Sequence, residues 1–337
     1  MRIKSVYWEI TDVCNLHCKH CYNASSPNKH HFISLDTAAR IINDLDKLGC
    51  QHVSISGGEP LLHPQITEIL KLLFQKNITP LLITNATQLS DAFLSQISDT
   101  NLSFQISIES SNETENDYIR GHGNYRMLIN SFELLKKKGL IGKVVLHQTP
   151  TAVNYKNVTE LIGFAKELGC RSIGFSLWAP IGRSADHIDD FSMSTHETIE
   201  FMNMVNKAKL IYETDFFSIA KVGIVSKCFL CNDEITDITP YISNSGHVYC
   251  CSKFSDPQYA IGNIYQESLF NILSTSERIA NVVQQAKHKM SACESCVLKG
   301  TCGRGCIAMA TLRGNTNDGF CEIRKQRILT NLLSKSK

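Results

Sequence analysis

Three things are missing from this sequence, and each removes a class of protein. No charged and then apolar leader precedes the first cysteine, so nothing marks the chain for secretion. No apolar run approaches the roughly 20 residues that a membrane-spanning helix needs. The basic excess that nucleic-acid binders carry is also absent, with a net charge of +2 and a pI of about 7.9. These absences predict a cytoplasmic protein with neither membrane nor nucleic acid among its partners. With 43% apolar residues over 337 positions, the chain can bury an ordinary core, either as two domains or as one large barrel with an appendage. What it has in excess is sulfur. Fourteen cysteines in a chain without a secretion signal point to metal binding, because clustered thiols in a reducing compartment do not pair as disulfides.

The first cluster is Cys14-Asn15-Leu16-His17-Cys18-Lys19-His20-Cys21-Tyr22, with three thiols within eight residues. It follows an apolar run over residues 6–11 whose β-branched and aromatic side chains suit a buried strand. Thiolates are soft ligands that select zinc, copper(I) or iron–sulfur clusters. A structural zinc site closes itself with four ligands, whereas a cubane held by three cysteines leaves one iron open to a reactant. Zinc bound by the three thiols and His17 or His20 is the alternative reading.

Beyond this loop the chain alternates. Helical spacing covers 34–49, 65–76, 89–97, 125–138 and 158–168, and strands are predicted over 53–56, 80–84, 102–109, 143–147 and 172–177. Leu48-Gly49-Cys50 and Leu168-Gly169-Cys170 each close a helix just before a strand, a weak internal repeat. Six strands alternating with helices imply a parallel α/β sheet with functional residues at the carboxyl ends of its strands. Cys14, Gly57, Thr84, Glu109 and His147 fall at such ends. Residues 1–212 are expected to form this unit, 213–227 a bridge, and 228–337 a second, cysteine-rich domain. That last part holds nine cysteines, ending in Cys293-x2-Cys296-x5-Cys302-x3-Cys306-x14-Cys321. Five residues between the central pair are too few for the hairpin of a zinc ribbon, so one compact cluster with interleaved ligands fits better.

The first motif, Cys-x3-Cys-x2-Cys followed by an aromatic residue, resembles the radical S-adenosylmethionine (radical SAM) enzymes. The later cysteines resemble the SPASM extension of one branch, with Cys231, Gly246, Cys251, Cys293, Cys296, Cys302, Cys306 and Cys321 in register with its pattern. The resemblance implies a (β/α)6 partial TIM barrel and a C-terminal SPASM domain. It implies S-adenosylmethionine and three [4Fe–4S] clusters as cofactors. Cys14, Cys18 and Cys21 would hold the cluster that cleaves S-adenosylmethionine to a 5′-deoxyadenosyl radical. Cys231, Cys251, Cys306 and Cys228 would hold the first auxiliary cluster, with Cys250 competing for the Cys228 position. Cys293, Cys296, Cys302 and Cys321 would hold the second. Gly57, Gly58 and Glu59 of the Gly-Gly-Glu-Pro stretch would meet the methionine amino group, Ser107 and Glu109 the ribose, Arg120 the methionine carboxylate, and Tyr22 the adenine. A plain turn, a solvated strand end, a surface arginine and a core aromatic are the corresponding structural readings. Asn85, Gln148 and Arg183 are further pocket candidates.

One departure matters. Sulfatase-maturating relatives carry a basic aspartate directly after the cysteine matching Cys251, and this chain has Ser252, which argues against formylglycine formation by that route. Cys250 is a speculative hydrogen-atom donor. The branch implies hydrogen abstraction from a ribosomally made precursor peptide, giving a crosslink, epimerisation or backbone excision, with the auxiliary clusters as electron acceptors. No leader-binding domain precedes Cys14, so a separate leader-binding protein is expected, together with an electron donor such as flavodoxin or ferredoxin. A small-molecule substrate, such as a sugar alcohol or tetrapyrrole, is the second reading. A non-catalytic iron–sulfur or zinc protein is the third.

Overall fold

The computed structural model describes residues 3–212, 214–217, 230, 238–254, 256–288, 290–302, 305–312, 314, 317–326 and 328. Its centre is one sheet of nine strands among the described residues, in the order β6-β5-β4-β3-β2-β1-β7-β8-β9. The strands β1 (Ser5–Glu9), β2 (His52–Ser56), β3 (Thr79–Thr84), β4 (Ser103–Ser107), β5 (Val144–Gln148) and β6 (Ser172–Phe175) are parallel neighbours in chain order. Helices α1 (Leu35–Lys47), α2 (Ile66–Gln75), α3 (Asp91–Ile97), α4 (Glu113–Arg120), α5 (Asn124–Lys137) and α6 (Val158–Leu168) make the crossovers. This is the expected six-stranded α/β partial barrel, with the short strands β7 (Tyr241–Ile242), β8 (His247–Tyr249) and β9 (Gly262–Asn263) continuing the sheet. Of these, β7 runs parallel to β1, and β8 and β9 follow antiparallel.

The two faces of the sheet differ because side chains alternate along a strand. Val6, Trp8, Val53, Ile55, Leu82, Phe104, Ile106, Val144 and Leu146 point to the helices and are wholly buried, each worth roughly 1.5–3 kcal/mol on folding. The opposite face carries Tyr7, Ser54, Ile83, Gln105, Ser107 and His147, all half-buried. Tyr7 stands beside Ser54, Ile83 beside Gln105, and Ser107 beside His147. Parallel sheets are usually covered on both faces. A polar, half-open face on this one leaves the barrel a lumen.

The helix stops behave as the sequence indicates. Gly49 and Gly169 adopt positive φ (72° and 82°), and the Cys50 and Cys170 amides donate back to Leu45 and Ala165 carbonyls at 3.0 and 3.1 Å, as in a Schellman cap. Both cysteines are buried, with burial pushing their thiols up to about 11 and 12. One strand end and one helix differ from expectation in a way that bears on the site. The strand predicted over 102–109 ends at Ser107, and helix α4, unpredicted, follows. Its start has a sequence signature: the Asn112 side chain accepts the Glu115 amide, and Glu113 and Glu115 lie in the first turn.

Beyond β1 and β2 the ladder continues irregularly. Gly58 N–H donates to Thr11 O and Glu59 N–H to Val13 O, both at 2.8 Å. The approach is close enough that a Cβ on Gly57 would stand 2.2 Å from Thr11 O, and one on Gly58 2.1 Å from Val13 O. Gly58→Ala is therefore expected to lower stability by about 1–3 kcal/mol or more, read as a fall in the urea unfolding midpoint. Gly142→Ala, which meets nothing within 4 Å, is the control, with a change within about 1 kcal/mol. Equal midpoints for the two variants would contradict the close approach.

Candidate active site

The three-thiol loop leaves β1 and is gripped from several directions. Cys14 N–H donates to Ser26 O (3.2 Å), Lys19 N–H to Ile119 O (2.9 Å) and Cys21 N–H to Cys18 O (3.2 Å). Arg183 adds a two-pronged clamp, with Nη1 on Cys18 O (2.8 Å) and Nη2 on Ser25 O (2.7 Å). The Leu16 amide (3.4 Å) and Asn85 Nδ2 (3.8 Å) point N–H groups at Cys14 Sγ. Burial pushes the free Cys14 thiol up to about 12 and that of Cys18 up to about 11, so thiolates here need a metal to hold them. Neither histidine completes a zinc set. His17 is exposed, and His20 Nε2 lies 3.0 Å from Glu109 Oε1. Three thiols with N–H donors to sulfur and a nearby guanidinium fit a cluster with one open position.

Two buried carboxylates anchor the surroundings. Glu59 accepts Leu61 N–H (3.0 Å) and Thr84 Oγ1–H (2.6 Å) on Oε1, and Asn85 N–H (2.8 Å) on Oε2. Burial raises its pKa, and these donors restrain the rise. Glu109 is almost fully buried beyond the end of β4. Its Oε1 accepts Arg120 Nε (3.1 Å) and Nη2 (2.6 Å), and its Oε2 accepts Thr149 N–H (3.0 Å). Burial alone would raise it, but His20 and Arg120 outweigh that and hold it at about 2.

The sequence-predicted residues therefore gather, with some different neighbours. Arg120 faces Glu109 rather than standing alone, and the close approach permitted by Gly57 and Gly58 is to the chain's own backbone. Glu59 is fully hydrogen-bonded inside. Ser107 lies in the lumen next to His147, whose Nε2 lies 2.9 Å from Ser176 Oγ. Asn85 sits against Cys14, and Gln148 Nε2 donates to Glu109 O at 2.8 Å.

On the C-terminal side, Cys293, Cys296, Cys302 and Cys321 line one small cavity with Asp318 and Arg324. Asp318 pairs with Arg324 and accepts the Cys306 amide at 2.8 Å. Cys251 and Cys306 both lie within electrostatic reach of Lys253, which also acts on His147 across the lumen. Cys228 and Cys231 lie outside the described residues. Cys250 is wholly buried within the core, its thiol pushed up to about 12 by burial.

One cleft is lined by residues of both the N-terminal and the C-terminal part of the chain. Tyr22, next to Cys21, lies on it, as do Asn244, Tyr249 and Ser252, the last next to Cys251. Behind it is a residue the sequence reading missed. Glu9, at the carboxyl end of β1, accepts Tyr22 OH at 2.9 Å and Asn244 Nδ2 at 3.1 Å. A carboxylate inside the apolar run of β1 was its only signal.

A parallel partial barrel with a thiol loop after its first strand, and four further thiols lining one cavity of the C-terminal part, is the architecture of an iron–sulfur redox enzyme. Comparison with known sequences names the group. A profile of the Radical SAM superfamily matches residues 8–168, and a profile of the SPASM iron–sulfur cluster-binding domain matches 231–297. The chain belongs to the radical SAM superfamily, in the branch that carries a SPASM domain. It is 24% identical over 318 residues to mycofactocin maturase MftC of Mycobacterium tuberculosis, covering 93% of this chain and 80% of that protein. AlbA of Bacillus subtilis, an antilisterial bacteriocin subtilosin biosynthesis protein, is 26% identical over 89% of this chain and 66% of its own. The crystal structure of Streptococcus suis SuiB bound to S-adenosylmethionine superposes with a TM-score of 0.74 at 16% identity, covering 95% of this chain and 77% of SuiB, which shows the shared fold. No described helix is long and apolar enough to cross a membrane.

Removing one partner of a buried ion pair orphans the other charge. Arg120→Met is expected to cost about 3–5 kcal/mol at neutral pH, read from the unfolding midpoint of the metal-free protein. The double variant Glu109→Gln/Arg120→Met is expected to cost less than Arg120→Met alone. Because Glu109 is held below its unfolded value of about 4.3, its contribution is complete above that pH and is lost as pH falls toward about 2. An Arg120→Met loss that persists undiminished at pH 2 would show that the ion pair is not its source.

Proposed function

We propose that this enzyme modifies a ribosomally made precursor peptide. The observation that carries the reading is the cleft lined by both Tyr22 and Ser252, which directly follow Cys21 and Cys251 in the chain. Resemblance over nearly the whole chain to a maturase and to a bacteriocin biosynthesis protein supports it. A structure of SuiB bound to its precursor peptide SuiA has the same fold.

In this reading, Cys14, Cys18 and Cys21 hold the cluster that binds S-adenosylmethionine. Cys231, Cys251, Cys306 and either Cys228 or Cys250 hold a second, and Cys293, Cys296, Cys302 and Cys321 a third. When bound, these groups supply a 5′-deoxyadenosyl radical and an acceptor for the electron that the substrate radical gives up. The chain's own residues orient and shield. Ser107, Glu109, Arg120 and Tyr22 shape the S-adenosylmethionine site, with Gly57, Gly58 and Glu59 fixing its floor. Ser252 places no carboxylate on the cleft wall. The packing of Cys250 within the core favours a structural or ligand role over hydrogen donation. A separate leader-binding protein and a flavodoxin- or ferredoxin-type donor complete the system.

The test is anaerobic reconstitution followed by turnover with the precursor peptide encoded beside the gene. About twelve irons per chain are expected from three cubanes. 5′-Deoxyadenosine release is expected under reducing conditions, together with a changed peptide mass for a crosslink or excision, or an altered residue configuration for an epimerisation. Serine at Cys14, Cys18 and Cys21 is expected to abolish all turnover. Zinc uptake in place of iron, or turnover surviving those substitutions, would end this reading.

A further inference from the structure

Glu9 is a buried charge whose partners, among the described residues, are all neutral. It is 1% exposed, and among the described residues no lysine, arginine or histidine lies within ion-pair distance of it. Its partners are neutral. Tyr22 OH donates to Oε1 at 2.9 Å, and the Asn244 backbone and side-chain N–H groups reach Oε2 at 3.3 and 3.1 Å. The Tyr241 side chain also favours the charged form of Glu9. Burying a carboxylate without a cation costs free energy that hydrogen bonds repay only in part. Burial accordingly raises Glu9 to about 7, against the lowering effect of Tyr241, Tyr22 and Asn244.

The donors to Glu9 are also walls of the cleft. Tyr22, Tyr241, Asn244 and Tyr249 line it, and no lysine or arginine does. Tyr241 stacks on Tyr249 with ring centroids 5.5 Å apart. With its hydroxyl engaged by Glu9 and Tyr7, the exposed Tyr22 offers the cleft its ring face, which attracts positive charge. The geometry points to a cation-binding subsite. We propose that this cleft seats an ammonium or guanidinium group of the substrate against the exposed ring of Tyr22, with the Glu9 carboxylate behind it as counter-charge and the buried Tyr241–Tyr249 stack as its floor.

This inference rests on the peptide reading for the source of the cation, which is then a lysine or arginine side chain or a free amino terminus. A purely structural role for Glu9, pinning the Asn244 turn to β1, makes a different prediction, because it gives no preference between charged and neutral ligands.

The experiment is calorimetric titration of the anaerobically reconstituted holoenzyme, with S-adenosylmethionine already bound. Three probes are used: an acetylated, amidated glycine pentapeptide with lysine at its centre, the same peptide with glutamine there, and n-butylammonium. The lysine probe is expected to bind about tenfold more tightly than the glutamine probe, n-butylammonium to compete with it, and Glu9→Gln to abolish the preference. Equal affinity of the lysine and glutamine probes, or a preference that survives in Glu9→Gln, overturns the subsite. If Glu9→Gln does not take up its clusters, the wild-type comparison decides alone. If n-butylammonium binds and neither peptide binds at all, the subsite stands and the peptide reading falls. If both peptides bind equally, the peptide reading stands and the subsite falls.

Discussion

Three thiols on a loop have no core of their own, so their spacing depends on what holds the loop from outside. Here that is a pair of buried carboxylates and one close backbone approach. Glu59 ties the Gly-Gly-Glu-Pro turn to Thr84 and Asn85 at the end of β3, and Asn85 in turn aims its amide at Cys14. Glu109 ties Arg120 and His20 together beyond the end of β4, and His20 lies inside the thiol loop itself. Both carboxylates are out of water, where an unsatisfied charge is severely destabilising and a satisfied one fixes its donors in place. The loop is thus braced against two neighbouring strand ends through chain groups alone, which is the preorganisation that a cofactor site needs.

The second constraint is β1. It pairs with β2 on one side and with β7 on the other, so the thiol loop and the C-terminal strands take their positions from the same five residues. The β7 pairing is short, Tyr7 beside Tyr241 and Trp8 beside Ile242. Aromatic contacts supplement it. Tyr7 meets Tyr241 edge-on at 5.8 Å, and Tyr241 stacks on Tyr249, each such pair adding about 0.5–1.5 kcal/mol beyond burial. The cleft opens along this seam.

Much of this was legible in the sequence. Apolar periodicity located the six parallel strands and five of their helices, because burial against a single sheet leaves a regular trace in the residues. The Leu-Gly-Cys repeats marked real caps, since a positive φ favours glycine whatever the surrounding fold. The family resemblance set Cys293, Cys296, Cys302 and Cys321 apart as one group, and these four line one cavity. The polar pairings were not legible. Which acceptor a buried arginine faces depends on how two distant turns meet, and composition carries no record of that. Glu9 shows the same limit: the run from Val6 to Thr11 reads as a strand, and nothing local says that its one carboxylate stands behind a tyrosine wall.

Arg120 shows how one missed element propagates. Read as an isolated loop side chain, it was free to meet a ligand carboxylate. Helix α4 changes that, because it carries the chain back so that Arg120 closes on Glu109, eleven positions earlier, through Nε and Nη2. The guanidinium edge best suited to a two-pronged carboxylate contact is therefore already occupied within the protein. A ligand carboxylate at this point must approach the remaining edge and do so near a second negative charge. His20 supplies the compensation, since its ring faces the same Glu109 oxygen. Arg120 thus belongs to a three-membered cluster of arginine, carboxylate and imidazole rather than standing as a single charge.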